Sequence, residues 1–252
     1  MPQILITGCS SGFGLAIAAR FLDDGWDVVV TMQTPSTEGL PRSDRLRVLP
    51  LDVTLQGSID DALAEAGRID VLVYNAGVVM LNVLEGVDNA KARELFETSA
   101  IGTKAMTRAV MPAMRELRAG VIVNIRSCVT QRPLPALSIY SASKGAVNTF
   151  SESLALEAAG FGVRVRTVLP GSAPQTSFGK NAVARMGMDV PEAYGPFVQT
   201  CFQALPNATE KTEASDVAYA VCRAATDPDP PIMQPAGKDA RTLFQQSRRI
   251  AG

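Results

Sequence analysis

The chain reads as an α/β domain, a parallel β-sheet wound with helices on both faces. Two observations predict this. Short β-branched runs alternate with longer helical patterns from one end to the other, the order in which parallel strands are joined by helical crossovers. The strand runs are also nearly continuous in apolar residues, as expected where helices cover both faces of a sheet. The chain has 252 residues, 46 % hydrophobic and 19 % charged, enough for one large core in a single domain spanning 1–252.

In order, Ile4-Leu5-Ile6-Thr7 is the first strand and the pattern at about 13–24 the first helix. Val28 to Thr31 follows as a second strand and Leu46 to Leu49 as a third, with a helix at about 57–66. Val71-Leu72-Val73 precedes a long helical pattern at about 89–118. Val121 to Ile125 leads to a helix at about 139–159, and Val163 to Val168 is the sixth strand. A last helical pattern covers about 214–226. Between them, about 172–207 is rich in Pro, Gly, Met and Phe and lacks a clear period. A long irregular stretch at a strand's carboxyl end suits a substrate lid, or an ordinary surface excursion.

Charge and composition exclude several classes. With 24 basic and 25 acidic residues and no basic stripe, a nucleic-acid partner is not expected. Histidine is absent, and Cys9, Cys128, Cys201 and Cys222 form no CxxC pattern, so no Cys/His metal motif exists. Unpaired thiols fit a reducing cytoplasm. A strand begins directly after Pro2, leaving no room for a signal peptide, and no apolar run approaches the roughly 20 residues of a membrane span. A cytoplasmic protein is expected.

Two local patterns carry chemistry. Gly8, Ser10, Ser11, Gly12, Phe13 and Gly14 form a glycine turn between the first strand and first helix. Glycines let backbone N–H groups approach a phosphate, and the helix N-terminus adds partial positive charge. The spacing is GxxxGxG rather than GxGxxG, and its position after the first strand favours dinucleotide binding over a plain tight turn. Tyr140 and Lys144 stand four apart, on one helical face. An ammonium one turn from a phenol stabilises phenolate and should lower the tyrosine pKa toward a usable range. The spacing alone also suits two solvated surface residues.

Taken together the motifs resemble the short-chain dehydrogenases/reductases over nearly the whole length. Thr7-Gly8-x-x-x-Gly12-x-Gly14 is similar to that family's cofactor turn, and Asn75-Ala76-Gly77 to its second signature. Tyr140-x-x-x-Lys144 is similar to its catalytic pair, with Ser127 thirteen residues upstream where the family places its serine, and Pro170-Gly171 to its nicotinamide segment. The resemblance implies a Rossmann-like fold and an NAD(P)-dependent exchange of hydride between cofactor and an alcohol, ketone or aldehyde. In reduction Ser127 would polarise the carbonyl, Tyr140 would donate the proton, and Lys144 would lower the tyrosine pKa and bind the nicotinamide ribose. The substrate pocket would hold Val129, Leu134, Leu137, Ser172 and Phe178, whose mostly apolar character suits a hydrophobic or aromatic carbonyl. A non-catalytic dinucleotide sensor or scaffold of the same fold is the alternative.

By the same alignment the second strand ends at Met32, followed by Gln33 and not a carboxylate, which removes the main obstacle to NADP(H) and leaves NAD(H) possible. Asp52, beside Val53, resembles the acceptor of the adenine amino group and can equally cap the turn after the third strand. Ser99 stands where many relatives carry asparagine that holds a relay water; it takes part in the relay with another water or simply packs. Arg126 either points away from the site or presents a charge near the cofactor. The family also pairs its long helices across a two-fold axis, so a homodimer or homotetramer is expected. Ala146, Phe150, Leu154 and Ala158 would form the exposed stripe, unless that stripe faces the chain's own sheet.

Overall fold

Seven parallel strands form one sheet in the order β3-β2-β1-β4-β5-β6-β7. The structure, a computed structural model, describes residues 1–174, 176, 190–204 and 210–250. The strands are β1 (Gln3–Thr7), β2 (Asp27–Met32), β3 (Leu46–Pro50), β4 (Val71–Tyr74), β5 (Gly120–Ile125), β6 (Val163–Pro170) and β7 (Met233–Ala236). The helices are α1 (Phe13–Asp23), α2 (Gln56–Ala66), α3 (Asn89–Phe96), α4 (Gly102–Leu117), α5 (Ser138–Ala159), α6 (Gly195–Ala204), α7 (Ala214–Thr226) and α8 (Lys238–Ile250).

Alternation along each strand sorts the core into two layers. Ile4, Ile6, Val28, Val30, Val71, Val73, Val121 and Val123 face α1 and α7. Leu5, Val29, Leu72, Ile122 and Val165 face the other way, toward α2, α4 and α5. β1 pairs with β2 on one side and β4 on the other, so the direction of winding reverses between β1 and β4. Sheets of this kind bind ligands beyond the strand ends at that reversal.

Three expectations need correction. The long helix at 89–118 is three pieces, α3, a π-helical turn at Glu97–Ile101, and α4. Asp88 caps α3 by accepting from Lys91 N, and Arg118 ends α4 in a left-handed conformation, φ 48°. The expected stripe on α5 splits between surface and core. Leu154 and Ala158 are buried in the layer shared with α4, Phe150 packs against it, and only Ala146 is exposed. The stretch at 172–207 contains α6, and β7 and α8 extend the fold beyond the last expected helix.

Candidate active site

The glycine turn is built by close approach. Gly8 has φ +71°, and a Cβ there would stand 2.7 Å from Ala76 Cα. A Cβ on Gly14 would stand 2.7 Å from Gly8 O. Gly12, φ +63°, is the N-cap of α1 with no side-chain cap, and no acidic residue occupies the first turn. The first N–H groups of α1 therefore face a cradle that only glycine leaves open, which fits a diphosphate. Across the sheet reversal, Thr7 Oγ1 accepts from Asn75 N and Ala76 N, both at 3.0 Å. Asn75 Nδ2 in turn donates to Thr7 O at 3.1 Å and Gly8 O at 2.9 Å.

A cleft of about 1310 Å³ runs from this turn along the strand ends. Its lining joins Gly8, Ser10, Ser11, Gly12, Phe13, Met32, Gln33, Asp52, Val53, Asn75, Ala76 and Gly77 with Ser127, Tyr140 and Lys144. Pro170, Gly171, Ser172, Val129, Leu134 and Leu137 complete the sequence-derived set. Gly14 stands apart from the lining, packed behind it. Phe178 lies outside the described residues.

Beside Gln33 in the cleft, Asp52 is already engaged. Its Oδ1 accepts from Thr54 N at 2.9 Å and Thr54 Oγ1 at 2.6 Å, and its Oδ2 from Gln33 Nε2 at 3.0 Å. These bonds, Thr54's hydroxyl first, hold its carboxyl below the usual range. The turn-capping role is thus realised in the geometry.

Tyr140 and Lys144 come from the first turns of α5, both buried. Lys144 Nζ lies 5.9 Å from the centre of the Tyr140 ring and donates to Ile125 O at 3.4 Å. A hydrogen bond links the side chains of Ser127 and Tyr140, and Ser127 Oγ accepts from Val129 N at 3.3 Å. Burial pushes the Tyr140 phenol up to about 12, against a smaller lowering by Ser127. Burial first, and then the Arg126 charge, bring Lys144 down to about 8. The expected lowering of the tyrosine is therefore outweighed: loss of water around the phenolate dominates.

Sequence reasoning missed a second set of lining residues. Glu94, Arg132, Glu210 and Asp239 bring charge to the cleft. Asp239 opens α8 and clasps the segment after β6: Ser172 N donates to its Oδ2 at 2.6 Å and Thr212 Oγ1 to its Oδ1 at 2.7 Å. Thr212 Oγ1 also accepts from Gly171 N at 2.9 Å, and Thr212 N donates to Ser172 O at 2.9 Å. No local motif marks these residues, because they meet only through β7 and α8.

Comparison with known proteins meets the same picture. The short chain dehydrogenase family matches residues 2–186. The chain belongs to that family. As a short-chain dehydrogenase it is 35 % identical, over 89 % of its length and 88 % of the relative's, to sulfoacetaldehyde reductase 2 of Chromohalobacter salexigens. It is 32 % identical to 3-ketodihydrosphingosine reductase of Bacteroides thetaiotaomicron, over 98 % of this chain and 92 % of that one. Among solved structures, the closed form of a serine dehydrogenase complexed with NADP+ superposes with TM-score 0.79 at 28 % identity, covering 94 % of each chain. The fold is Rossmann-like, and the short-chain dehydrogenase is an NAD(P)-dependent oxidoreductase. No described helix is long and apolar enough to cross a membrane.

Proposed function

We propose that this enzyme is an NADP(H)-preferring carbonyl reductase and alcohol dehydrogenase, with Ser127, Tyr140 and Lys144 as its catalytic residues. The observation that carries the reading is their meeting in a cleft that continues to the glycine turn, with Tyr140 and Lys144 buried and Ser127 half-buried. A bound nicotinamide would supply or accept the hydride. Gly8, Ser10, Ser11, Gly12 and Phe13 would hold its diphosphate, Asn75, Ala76 and Gly77 the centre of the cleft, and Pro170 and Gly171 the nicotinamide side. Ser127 donates to the substrate oxygen, holding the carbonyl and drawing charge onto it. Tyr140 gives that oxygen its proton and becomes phenolate. Lys144 stabilises the phenolate. Burial disfavours that phenolate before reaction, so the phenol stays protonated until the substrate oxygen needs the proton.

Met32 and Gln33 at the end of β2 set no carboxylate against a 2′-phosphate, which favours NADP(H), with NAD(H) use still open. The serine dehydrogenase structure with NADP+ agrees in kind. Val129, Leu134 and Leu137 suit a hydrophobic or aromatic carbonyl, taken up under a lid at 172–207. A homodimer or homotetramer in the cytoplasm completes the reading; a monomeric mass by light scattering at micromolar concentration would refute the assembly. The decisive measurement is turnover of a ketone and alcohol panel with each cofactor, read at the nicotinamide absorbance. Tighter binding and faster turnover with NADPH are expected; a strong preference for NADH would overturn the cofactor assignment, and no turnover with either would overturn the whole.

A further inference from the structure

Arg126 is a charge that the mechanism above leaves unused. It follows β5, and strand alternation puts it on the face of Ile122 and Asn124, under α5. Its N–H donates to Val168 O at 2.8 Å, which ties this end of the strand to β6. The side chain is 0 % exposed, and its guanidinium nitrogens have no hydrogen-bond partner among the described residues. Glu152 Oε1 lies 4.0 Å away on a side chain 55 % exposed, where water screens it.

Lys144, also buried, reaches the same place, since Nζ donates to Ile125 O, the carbonyl just before Arg126. The other ionisable groups on the elements packed against α5 are Lys91, Arg93 and Glu94 of α3, Glu97 of the π turn, Lys104, Arg108, Arg115 and Glu116 of α4, Cys128, and Arg164 and Arg166. Arg164 reaches Ala225 O and Asp227 O on the opposite face of the sheet. Apart from the Cys128 thiol, none of these groups is buried. Two buried cations thus share one strand end, and among the described residues the solvated Glu152 is the carboxylate within ion-pair range of Arg126. Such an excess is unfavourable in a resting protein and points to a negative charge that appears only in the reaction. On the catalytic reading of Tyr140 and Lys144, on which this inference rests, that charge is the Tyr140 phenolate. It forms when hydride reaches the carbonyl carbon, the C=O electron pair moves to oxygen, and that oxygen takes the phenol proton.

We propose that Arg126 is a positioning residue for this proton transfer, a permanently charged group held beside Lys144 that drives the ammonium's proton toward the Tyr140 phenolate. An N–H bond of Lys144 breaks, the O–H of Tyr140 re-forms through a bridging hydroxyl or water, and Lys144 regains a proton from solvent. Arg126 keeps its charge throughout. The low position of Lys144, near 8, agrees with a like charge at its side.

The test is an NMR titration of protein labelled at lysine Cε, with Lys144 assigned by Lys144→Met. In the wild type Lys144 should lose its proton near pH 8. In Arg126→Met, or in Arg126→Gln if the first fails to fold, the midpoint should rise by roughly one pH unit. The alkaline limb of kcat/KM for reduction should move up with it, because the protonated form then persists to higher pH. Arg126→Lys should leave both in place. A wild-type Lys144 titrating together with the surface lysines, or a midpoint unchanged in the neutral variants, overturns the proposal. Absence of turnover in wild type, with the titration as expected, overturns instead the catalytic reading beneath it.

Discussion

Replacing Asp239 with alanine should loosen the Pro170-Gly171 end of the cleft, the nicotinamide side on the function proposed above, and leave the glycine-turn end intact. The carboxylate accepts Ser172 N at 2.6 Å and Thr212 Oγ1 at 2.7 Å. Hydrogen bonds to charged acceptors contribute about 1.5–3 kcal/mol each. Thr212 has a single hydroxyl proton and a second acceptor within reach, Ala236 O at 2.9 Å, so most of its share is recovered. Ser172 N has no second acceptor among the described residues, and because Asp239 is only half-buried the low end of the range applies. The expected loss is about 1.5–2 kcal/mol, or roughly 10–30-fold in affinity at 1.36 kcal/mol per decade. Calorimetric titration with NADPH and with 2′-phospho-ADP-ribose, which lacks the nicotinamide, separates the two halves. NADPH should bind Asp239→Ala more weakly by that factor while the fragment binds as in the wild type. Asp239→Asn, which keeps an acceptor oxygen, should fall between. Equal weakening of both ligands, or an unchanged NADPH affinity in folded protein, would refute the reasoning.

Tyr140→Phe keeps the ring and removes the acid, so turnover should fall by roughly 10²–10⁴-fold with cofactor affinity nearly unchanged; normal rates would sink the mechanism. Gly8→Ala forces a Cβ to 2.7 Å from Ala76 Cα at φ +71°. Left-handed strain and overlap together should cost about 2–4 kcal/mol, lowering Tm by roughly 5–15 °C, and an unaltered melting curve would contradict the packing described. Met32→Asp puts a carboxylate at the end of β2 and should move the NADPH-to-NADH preference toward NADH, as read from the ratio of kcat/KM values; an unmoved ratio would show that the 2′-phosphate binds elsewhere.

The central strands were legible because their apolar runs are continuous, and the helices from 13 and from 138 because a glycine turn and a long pattern mark them. β7 escaped notice for a physical reason: Met233-Gln234-Pro235-Ala236 is short and carries a proline, tolerated because the strand is at the sheet edge. α8 is mostly polar and its apolar stripe is thin, Ala240, Leu243 and Phe244, with Leu243 reaching the small cluster around Cys128 and Leu169, which left it easy to pass over. On α5, residues four apart drift around the helix, and the stripe from Ala146 to Ala158 winds from solvent into the core. Ser127, Tyr140, Lys144 and the glycine turn were visible as local patterns. Asp239 and Thr212 were not, since their meaning exists only once β7 lies beside β6. Ser99 was singled out by its residue type alone. It lies buried in the π turn with no partner for its hydroxyl among the described residues, while its carbonyl accepts from Thr103 Oγ1 at 2.5 Å.

The four hydrogen bonds that join Thr7 and Gly8 to Asn75 and Ala76 have a consequence for how such an enzyme diversifies. They fasten together the two strand ends on either side of the ligand crevice, so that neither can shift alone to suit a new molecule. The clasp of Ser172, Thr212 and Asp239 fastens the two ends of the intervening segment to each other and to α8 in a similar way. What lies between Ser172 and Thr212 can then be exchanged as a cassette. A graft of that segment from a relative with another substrate should change which carbonyl is accepted while the host's cofactor affinity carries over unchanged.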